Sequence, residues 1–326
     1  MSKVAVTDYT FPDLEIEKEI LEPLDCSVEG HKKYQGPEKL KQLVTDADYV
    51  ITQFAPVTAE MIEAMTRCQI IVRYGVGVDN VDLEAAVTKN IPVCNVPDYG
   101  IEEVADHTLA TILALTRNLV PEWDLIRQGK WQPAVPLEKM RVLKEMTIGL
   151  IAYGRIARQV ALRLKGFKCK IIVFDPFTDA SVIKKDGCVP VSLDEIYAQS
   201  DLISLHCPSN DKTAGMINTD SIAKMKKGVI LINQARGNII KTNDLIEALQ
   251  SGHVGAAGLD VLDPEPMPPN SPLAKMGNVI MTTHVASLSA RAMKMLQKGA
   301  AQAVACGIEN KPLPNVVNGI LKCKSD

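Results

Sequence analysis

No stretch of this sequence approaches the roughly 20 consecutive apolar residues that a membrane-spanning helix needs, so no membrane partner is expected. Charge of one sign is also lacking. The 36 Lys and Arg residues face 39 Asp and Glu, and a net charge of -3 offers no electrostatic footprint for nucleic acid or an acidic lipid surface. A small molecule is the expected partner. Eight cysteines are present, but none forms a C-x-x-C pair or a Cys/His cluster at zinc spacing. No metal is expected, and reduced, buried thiols are the plain reading. The opening M-S-K-V-A-V-T-D-Y-T has neither the basic stretch nor the apolar run of a secretory signal, which leads to an expected cytoplasmic location.

What is present is enough apolar material for more than one core: 46% of 326 residues, which predicts two domains. Short apolar runs at 3–7, 49–52, 70–73 and 92–95 read as buried strands, with helical patterns at 37–45, 59–65 and 82–89 between them. Such alternation favours a parallel sheet. A long apolar helix at 102–118 can cross to a second domain, and a polar, tryptophan-containing stretch follows at 122–141. Six further strands are expected at 147–152, 170–175, 202–206, 229–233, 255–260 and 279–282, and an amphipathic helix at 289–308 can return the chain to the first domain. In doubly wound sheets ligands bind beyond the carboxyl ends of the strands. Tyr153, Asp175, His206, Arg236, Asp260, Glu265 and His284 all fall at or just after those ends.

The segment from Gly149 to Pro176 reads as strand, tight turn, helix and a second strand that ends in an acid. A helix N-terminus at the turn would face a pyrophosphate with its N–H groups and positive dipole end. Asp175, about twenty residues on, is placed to accept hydrogen bonds from ribose hydroxyls and to repel a 2′-phosphate. NAD is therefore favoured over NADP. The G-x-G-x-x-G pattern appears as Ala152, Gly154 and Ala157, with only its middle glycine retained. Taken alone, the segment fits a dinucleotide site or an ordinary βαβ unit with small residues at the helix–strand contact.

Three ionisable residues follow successive strands: Arg236 in N-Q-A-R-G-N, Glu265 in D-V-L-D-P-E-P and His284 in T-T-H-V-A-S. Singly, each has a bland explanation as a surface ion pair, a solvated loop acid or a packed histidine. Together at one rim they form a chemical set. A fixed cation can bind a carboxylate and polarise a carbonyl, while an imidazole oriented by a carboxylate passes a proton to oxygen as hydride reaches carbon.

The motifs R-Y-G-V-G-V-D-N-V-D (73–82), C-N-V-P-D-Y (94–99), E-V-A-D-H-T-L-A (103–110), H-C-P (206–208) and N-Q-A-R-G, with the Glu265 and His284 segments, occur in one order along the chain. In these the sequence resembles the D-isomer-specific 2-hydroxyacid dehydrogenase family over essentially its whole length. It looks most like the branch of the C-terminal-binding proteins and their bacterial dehydrogenase relatives. The resemblance implies an α/β fold in which a Rossmann-type doubly wound parallel sheet, residues 101–287, is inserted into a smaller flavodoxin-like substrate domain, residues 1–100 and 288–326.

By the same resemblance Arg236, Glu265 and His284 are catalytic: substrate-binding arginine, carboxylate partner and acid/base. Tyr153, Gly154, Arg155 and Ile156 match the phosphate turn, and Asp175 the ribose acid. His206, Cys207, Pro208 and Thr213 match positions along the cofactor, as do Ala235, Arg236, Asp260 and His284. For Asp260, orienting the carboxamide competes with a structural role at the strand end. Tyr74, Val76 and Gly77, with Arg236, match the substrate carboxylate site. His107 lies on the crossing helix, outside catalysis; His31 and His253 read as surface residues. Lys241-Thr242 departs from the commoner hydrophobic-acidic pair after the catalytic arginine.

The implied activity is NAD-dependent interconversion of a small (R)-2-hydroxy acid and its 2-oxo acid by a homodimer. The alternative is a non-catalytic, NAD-sensing dimeric interaction protein. T-Q-F-A-P at 52–56 lacks the basic residue of phosphoglycerate-type relatives, so unphosphorylated acids such as hydroxypyruvate or glyoxylate are expected.

Overall fold

Five runs of the first part of the chain become strands β1 (Ser2–Val6), β2 (Cys26–Gly30), β3 (Tyr49–Thr52), β4 (Ile70–Arg73) and β5 (Val93–Cys94) in the computed structural model, which describes residues 1–323. All pairings are parallel, in the order β2-β1-β3-β4-β5, the flavodoxin-like arrangement. The central strands are covered on both faces, so they read as unbroken apolar runs such as I-I-V in β4. The edge strand β2, C-S-V-E-G, is half-exposed and carries no such run, and it was not legible in the sequence. The short helix Glu15–Leu21 was likewise not anticipated.

Contacts divide the chain into two units: Met1–Gly100 with the chain from Leu288 onward, and Ile101–Ser287. The helix Ala290–Ile308 belongs to the first unit. Ser289 caps it by accepting the Ala292 N–H at 2.9 Å, and Leu296, Ala300 and Val304 enter the core beside Val4, Val6 and Val72. The chain then closes on β5: Val317 N–H donates to the Val93 carbonyl at 2.9 Å, and Val93 N–H to Asn318 Oδ1 at 3.0 Å.

The second unit holds seven strands, β6 (Thr147–Ile151), β7 (Lys170–Phe174), β8 (Val189–Pro190), β9 (Leu202–Leu205), β10 (Val229–Asn233), β11 (Val254–Leu259) and β12 (Val279–Met281). Their order, β12-β11-β10-β9-β6-β7-β8, is the Rossmann order extended by one strand, parallel throughout. Six strands were expected. The seventh, β8, is a two-residue edge with no apolar pattern to announce it. The chain reverses its direction of growth at β6, which makes the β6 and β9 ends the switch point where such sheets bind ligands.

Register levels the carboxyl edge. Ile151 pairs with Phe174 and Leu205, Leu205 with Asn233, Asn233 with Leu259, and Leu259 with Met281. The next residues, Ala152, Asp175, His206, Gln234, Asp260 and Thr282, therefore leave the sheet along one shelf. The helix Arg155–Lys165 covers the sheet with Ala157, Val160, Ala161 and Leu164, a helical spacing that puts all four on the buried face.

Candidate active site

The turn after β6 begins with a departure from the usual fingerprint. Ala152 adopts φ 72°, a left-handed conformation that costs a residue with a Cβ about 1–2 kcal/mol. Backbone bonds hold it there: Ala152 N–H donates to the Phe174 carbonyl at 2.8 Å, and Tyr153 N–H to Asp175 Oδ2 at 2.6 Å. The side chain of Tyr153 turns inward. Its ring is fully buried, and its hydroxyl meets Asp186 Oδ2 at 3.1 Å and Cys188 Sγ at 3.6 Å, so the side chain builds the turn from behind. Burial pushes the phenol upward from its ordinary pKa.

Gly154 is the N-cap of the helix that follows, at φ -76° and ψ -164°, a conformation open to any residue. A Cβ built there meets nothing within 4 Å. The fold itself therefore has no need of glycine at this position; the empty space lies before a helix N-terminus that no side chain caps. That cradle fits a pyrophosphate, which would take N–H bonds from the first turn. Asp175 fits the ribose end. Burial alone would raise its pKa, but N–H bonds from Phe177, Tyr153 and Thr178 outweigh it and hold the carboxylate below its usual range.

After β9, the His206 Nε2 lies 2.9 Å from Ser204 Oγ, and burial pushes the imidazole down to about 4, which keeps it neutral at physiological pH. Burial pushes the Cys207 thiol up to about 11, so it is a packing group and not a nucleophile. Thr213 donates its hydroxyl to the Pro208 carbonyl at 2.7 Å and accepts the Asn210 N–H at 2.9 Å. These two bonds close the loop that follows β9. His253, expected at the surface, is half-buried and bonded to the Met225 carbonyl at 3.1 Å.

Asn233, which the sequence reading passed over, shapes the turn into Arg236. Its side chain accepts the Ala235 N–H at 3.0 Å and donates to the Arg236 carbonyl at 2.8 Å. The guanidinium of Arg236 is steadied by a 2.7 Å bond from Nη1 to the Ala235 carbonyl. Gly237 explains itself by contact: a Cβ there would lie 1.8 Å from the Leu262 carbonyl oxygen, so only glycine lets the Arg236 loop rest on the segment that leads to Glu265. Thr242 ties the same two segments, donating its hydroxyl to the Asp263 carbonyl at 2.7 Å. This accounts for part of the Lys241-Thr242 departure.

Glu265 and His284 meet: Glu265 Oε2 is 3.0 Å from His284 Nδ1, while Oε1 accepts the Leu262 N–H at 3.0 Å. Burial acts to raise the Glu265 pKa, but the His284 bond, the Leu262 N–H and the nearby Arg236 cation together bring it below the ordinary carboxylate value. Asp260 ties the strand end to the loop that carries His284. The residue is 2% exposed; Oδ1 accepts from Thr282 Oγ1 and the Val285 N–H, Oδ2 from the Ala286 N–H, and its carbonyl from the His284 N–H.

In the first unit, the Tyr74 side chain is buried. It is 1% exposed, with its hydroxyl on Glu17 Oε1 at 2.7 Å and its N–H on the Thr52 carbonyl, so it is a core residue. Val76 is 43% exposed, and among the described residues no acceptor takes the N–H of Val76 or Gly77. That leaves two adjacent backbone donors suited to an anion.

Comparison with known proteins identifies the family of the chain. The family model described as "D-isomer specific 2-hydroxyacid dehydrogenase, NAD binding domain" matches residues 109–286. The chain is 34% identical over 286 residues to a D-3-phosphoglycerate dehydrogenase of Mycobacterium leprae, a match that takes in 87% of this chain but 54% of the relative. The chain thus spans about half the length of that relative. It is 34% identical over 280 residues to a glyoxylate reductase of Korarchaeum cryptofilum, with 84% of each chain covered. Among solved structures, D-lactate dehydrogenase of Aquifex aeolicus in complex with NAD and lactic acid superposes with a TM-score of 0.85, at 29% identity over 95% of this chain and 96% of that one. The chain belongs to the D-isomer-specific 2-hydroxyacid dehydrogenase family, with an NAD-binding domain in its second unit.

Proposed function

We propose that the protein is an NAD-dependent oxidoreductase that interconverts a small (R)-2-hydroxy acid and its 2-oxo acid. The observation that carries this reading is the Glu265–His284 pair at 3.0 Å, beside a loop that presents Arg236. A carboxylate only accepts, so His284 holds its Nδ1 proton toward Glu265 and offers Nε2 for exchange with the substrate oxygen. In the second unit Arg236 binds the substrate carboxylate and carbonyl; in the first, the Val76 and Gly77 N–H groups are backbone donors suited to an anion. The Gly154–Ile156 turn and Asp175 would hold the nicotinamide cofactor, which when bound would supply or accept the hydride. In this reading the second unit is the cofactor domain and the first the substrate domain. The non-catalytic alternative draws no support from relatives named as reductases and dehydrogenases.

The substrate we favour is unphosphorylated. Asp8 accepts the N–H groups of Gln53, Phe54 and Ala55, so the backbone donors of the loop after β3 are engaged by an acid and its segment carries no cation. The test is steady-state turnover of hydroxypyruvate, glyoxylate and 3-phosphoglycerate with NADH/NAD and NADPH/NADP. We expect the first two acids to be preferred, and NADH over NADPH by at least about tenfold, because the fixed Asp175 carboxylate faces any 2′-phosphate. Efficient oxidation of 3-phosphoglycerate would overturn the substrate assignment, and equal use of both cofactors the role of Asp175.

A homodimer is the second part of the proposal. The helix Leu119–Arg127 buries none of its residues, and Leu119, Trp123 and Ile126 on it are exposed, as are Trp131 and Leu137 just beyond. So much apolar surface in one segment supports a partner, and a second copy is the one the family suggests. Light scattering at micromolar concentration should give twice 35.5 kDa; the monomer mass would refute it. None of the eight cysteines, all among the described residues, forms a disulfide, which supports a cytoplasmic site of action.

A further inference from the structure

His107 sits on the helix Ile101–Thr116 and has no part in the proposed chemistry, yet its Nε2 lies 3.1 Å from Thr282 Oγ1. The same hydroxyl lies 2.5 Å from Asp260 Oδ1. A hydroxyl has one proton, and Asp260 as a carboxylate can only accept it. Thr282 is therefore the acceptor toward His107, whose Nε2 must be the protonated nitrogen. The donor chain runs from His107 through Thr282 to Asp260.

Asp260 in turn fixes the backbone that carries His284. Its carboxylate takes the N–H groups of Val285 and Ala286 at 2.9 Å each, and its carbonyl takes the His284 N–H at 2.8 Å. His284 itself has φ 56°, in the left-handed region that residues with a Cβ rarely occupy. Such a conformation persists only where its surroundings over-determine it. The Asp260 carboxylate serves the two N–H groups with different oxygens, which fixes its orientation, and the Thr282 hydroxyl, itself held by His107, adds a third bond on Oδ1, the oxygen that takes the Val285 N–H.

We propose that His107 is a positioning residue for His284, acting through Thr282 and Asp260. This rests on the reading of His284 as the acid/base. His107→Phe keeps an aromatic ring and removes the donor, and Thr282→Val removes the hydroxyl. Each should lower kcat about tenfold, the scale of a small misplacement of a reacting group, with KM for the oxo acid and NADH affinity little changed. The double variant should be no worse than either single one, because both cut the same chain. His107→Gln and Thr282→Ser, which keep a donor and a hydroxyl, should recover most of the activity.

A wild-type kcat in His107→Phe, or full additivity in the double variant, would overturn the proposal. A readout free of activity and of variant folding is the tautomer of His107 in the native protein, by nitrogen NMR of its five histidines. An Nε2–H ring is expected, and an Nδ1–H ring would break the chain of donors. A wild-type protein that turns over no 2-oxo acid, or a fully active His284→Ala variant, would instead sink the reading of the site while leaving the tautomer result standing.

Discussion

Replacing His284 by alanine is expected to lower kcat for 2-oxo acid reduction by at least about 10², the usual contribution of a positioned general acid. The Nδ1 contact to Glu265 leaves Nε2 as the exchanging atom, and His206, the other histidine that follows a strand of the same sheet, is held neutral by burial and bonded to Ser204. Glu265→Gln tests the partner. The folded-state pKa of Glu265 is depressed, so its contribution is present above the unfolded carboxylate value and is lost only as pH falls through the lower folded value. At neutral pH the carboxylate is charged and faces the ring. Removing that charge should move the limb on which reduction declines with rising pH toward lower pH. Profiles of kcat for both proteins decide this: coincident limbs would remove Glu265 from the mechanism, and an unimpaired His284→Ala would remove the histidine.

Gly237→Ala should be nearly as damaging, although the residue touches neither substrate nor cofactor in the proposed reading. The added methyl would stand 1.8 Å from the Leu262 oxygen and 1.9 Å from its carbon, both backbone atoms that no rotamer change can clear. The Arg236 loop and the segment leading to Glu265 must part. Overpacking of this kind costs about 1–3 kcal/mol, and a displacement near 1 Å at the reacting groups about 10² in kcat/KM. Thermal unfolding and kcat/KM should fall together, while NADH binding at the Gly154 turn persists. A variant with wild-type stability and activity would show that the two loops are not held by this contact.

The fold was legible wherever strands are buried on both faces. Tyr49–Thr52, Ile70–Arg73 and Val229–Asn233 were read to the residue, because a covered strand must be apolar throughout. The edges β2 and β8 were missed for the converse reason: half in water, C-S-V-E-G and V-P have no periodicity to read. The site divides along a similar line. Glu265 and His284 were visible as ionisable residues after strand ends, and the structure brings them together. Asn233 and Thr282 were not, since each acts by bonding backbone or a neighbouring side chain, and nothing in their sequence setting separates a polar residue that shapes a turn from one that merely ends a strand. For Tyr74 and Tyr153 the motif gives the position in the chain but not the surroundings of the side chain. Motif position suggested ligand contact, whereas their hydroxyls are taken by Glu17, and by Asp186 and Cys188.

The division of the chain also sets an order of assembly during synthesis. Residues Ile101–Ser287 are continuous, so that unit has every strand of its sheet once Met281 has left the ribosome. The first unit begins earlier but must wait longer. Its core needs Leu296, Ala300 and Val304, and β5 needs Val317 and Asn318 to meet the hydrogen bonds of Val93, all of which emerge after the inserted unit. Until then one face of a parallel sheet with apolar strands has only the part of its cover that residues 11–21 supply, and a nascent chain stalled in this interval exposes apolar surface of the kind that chaperones recognise. The insertion that unites the two units in one polypeptide thus makes the first to be translated the last to be complete.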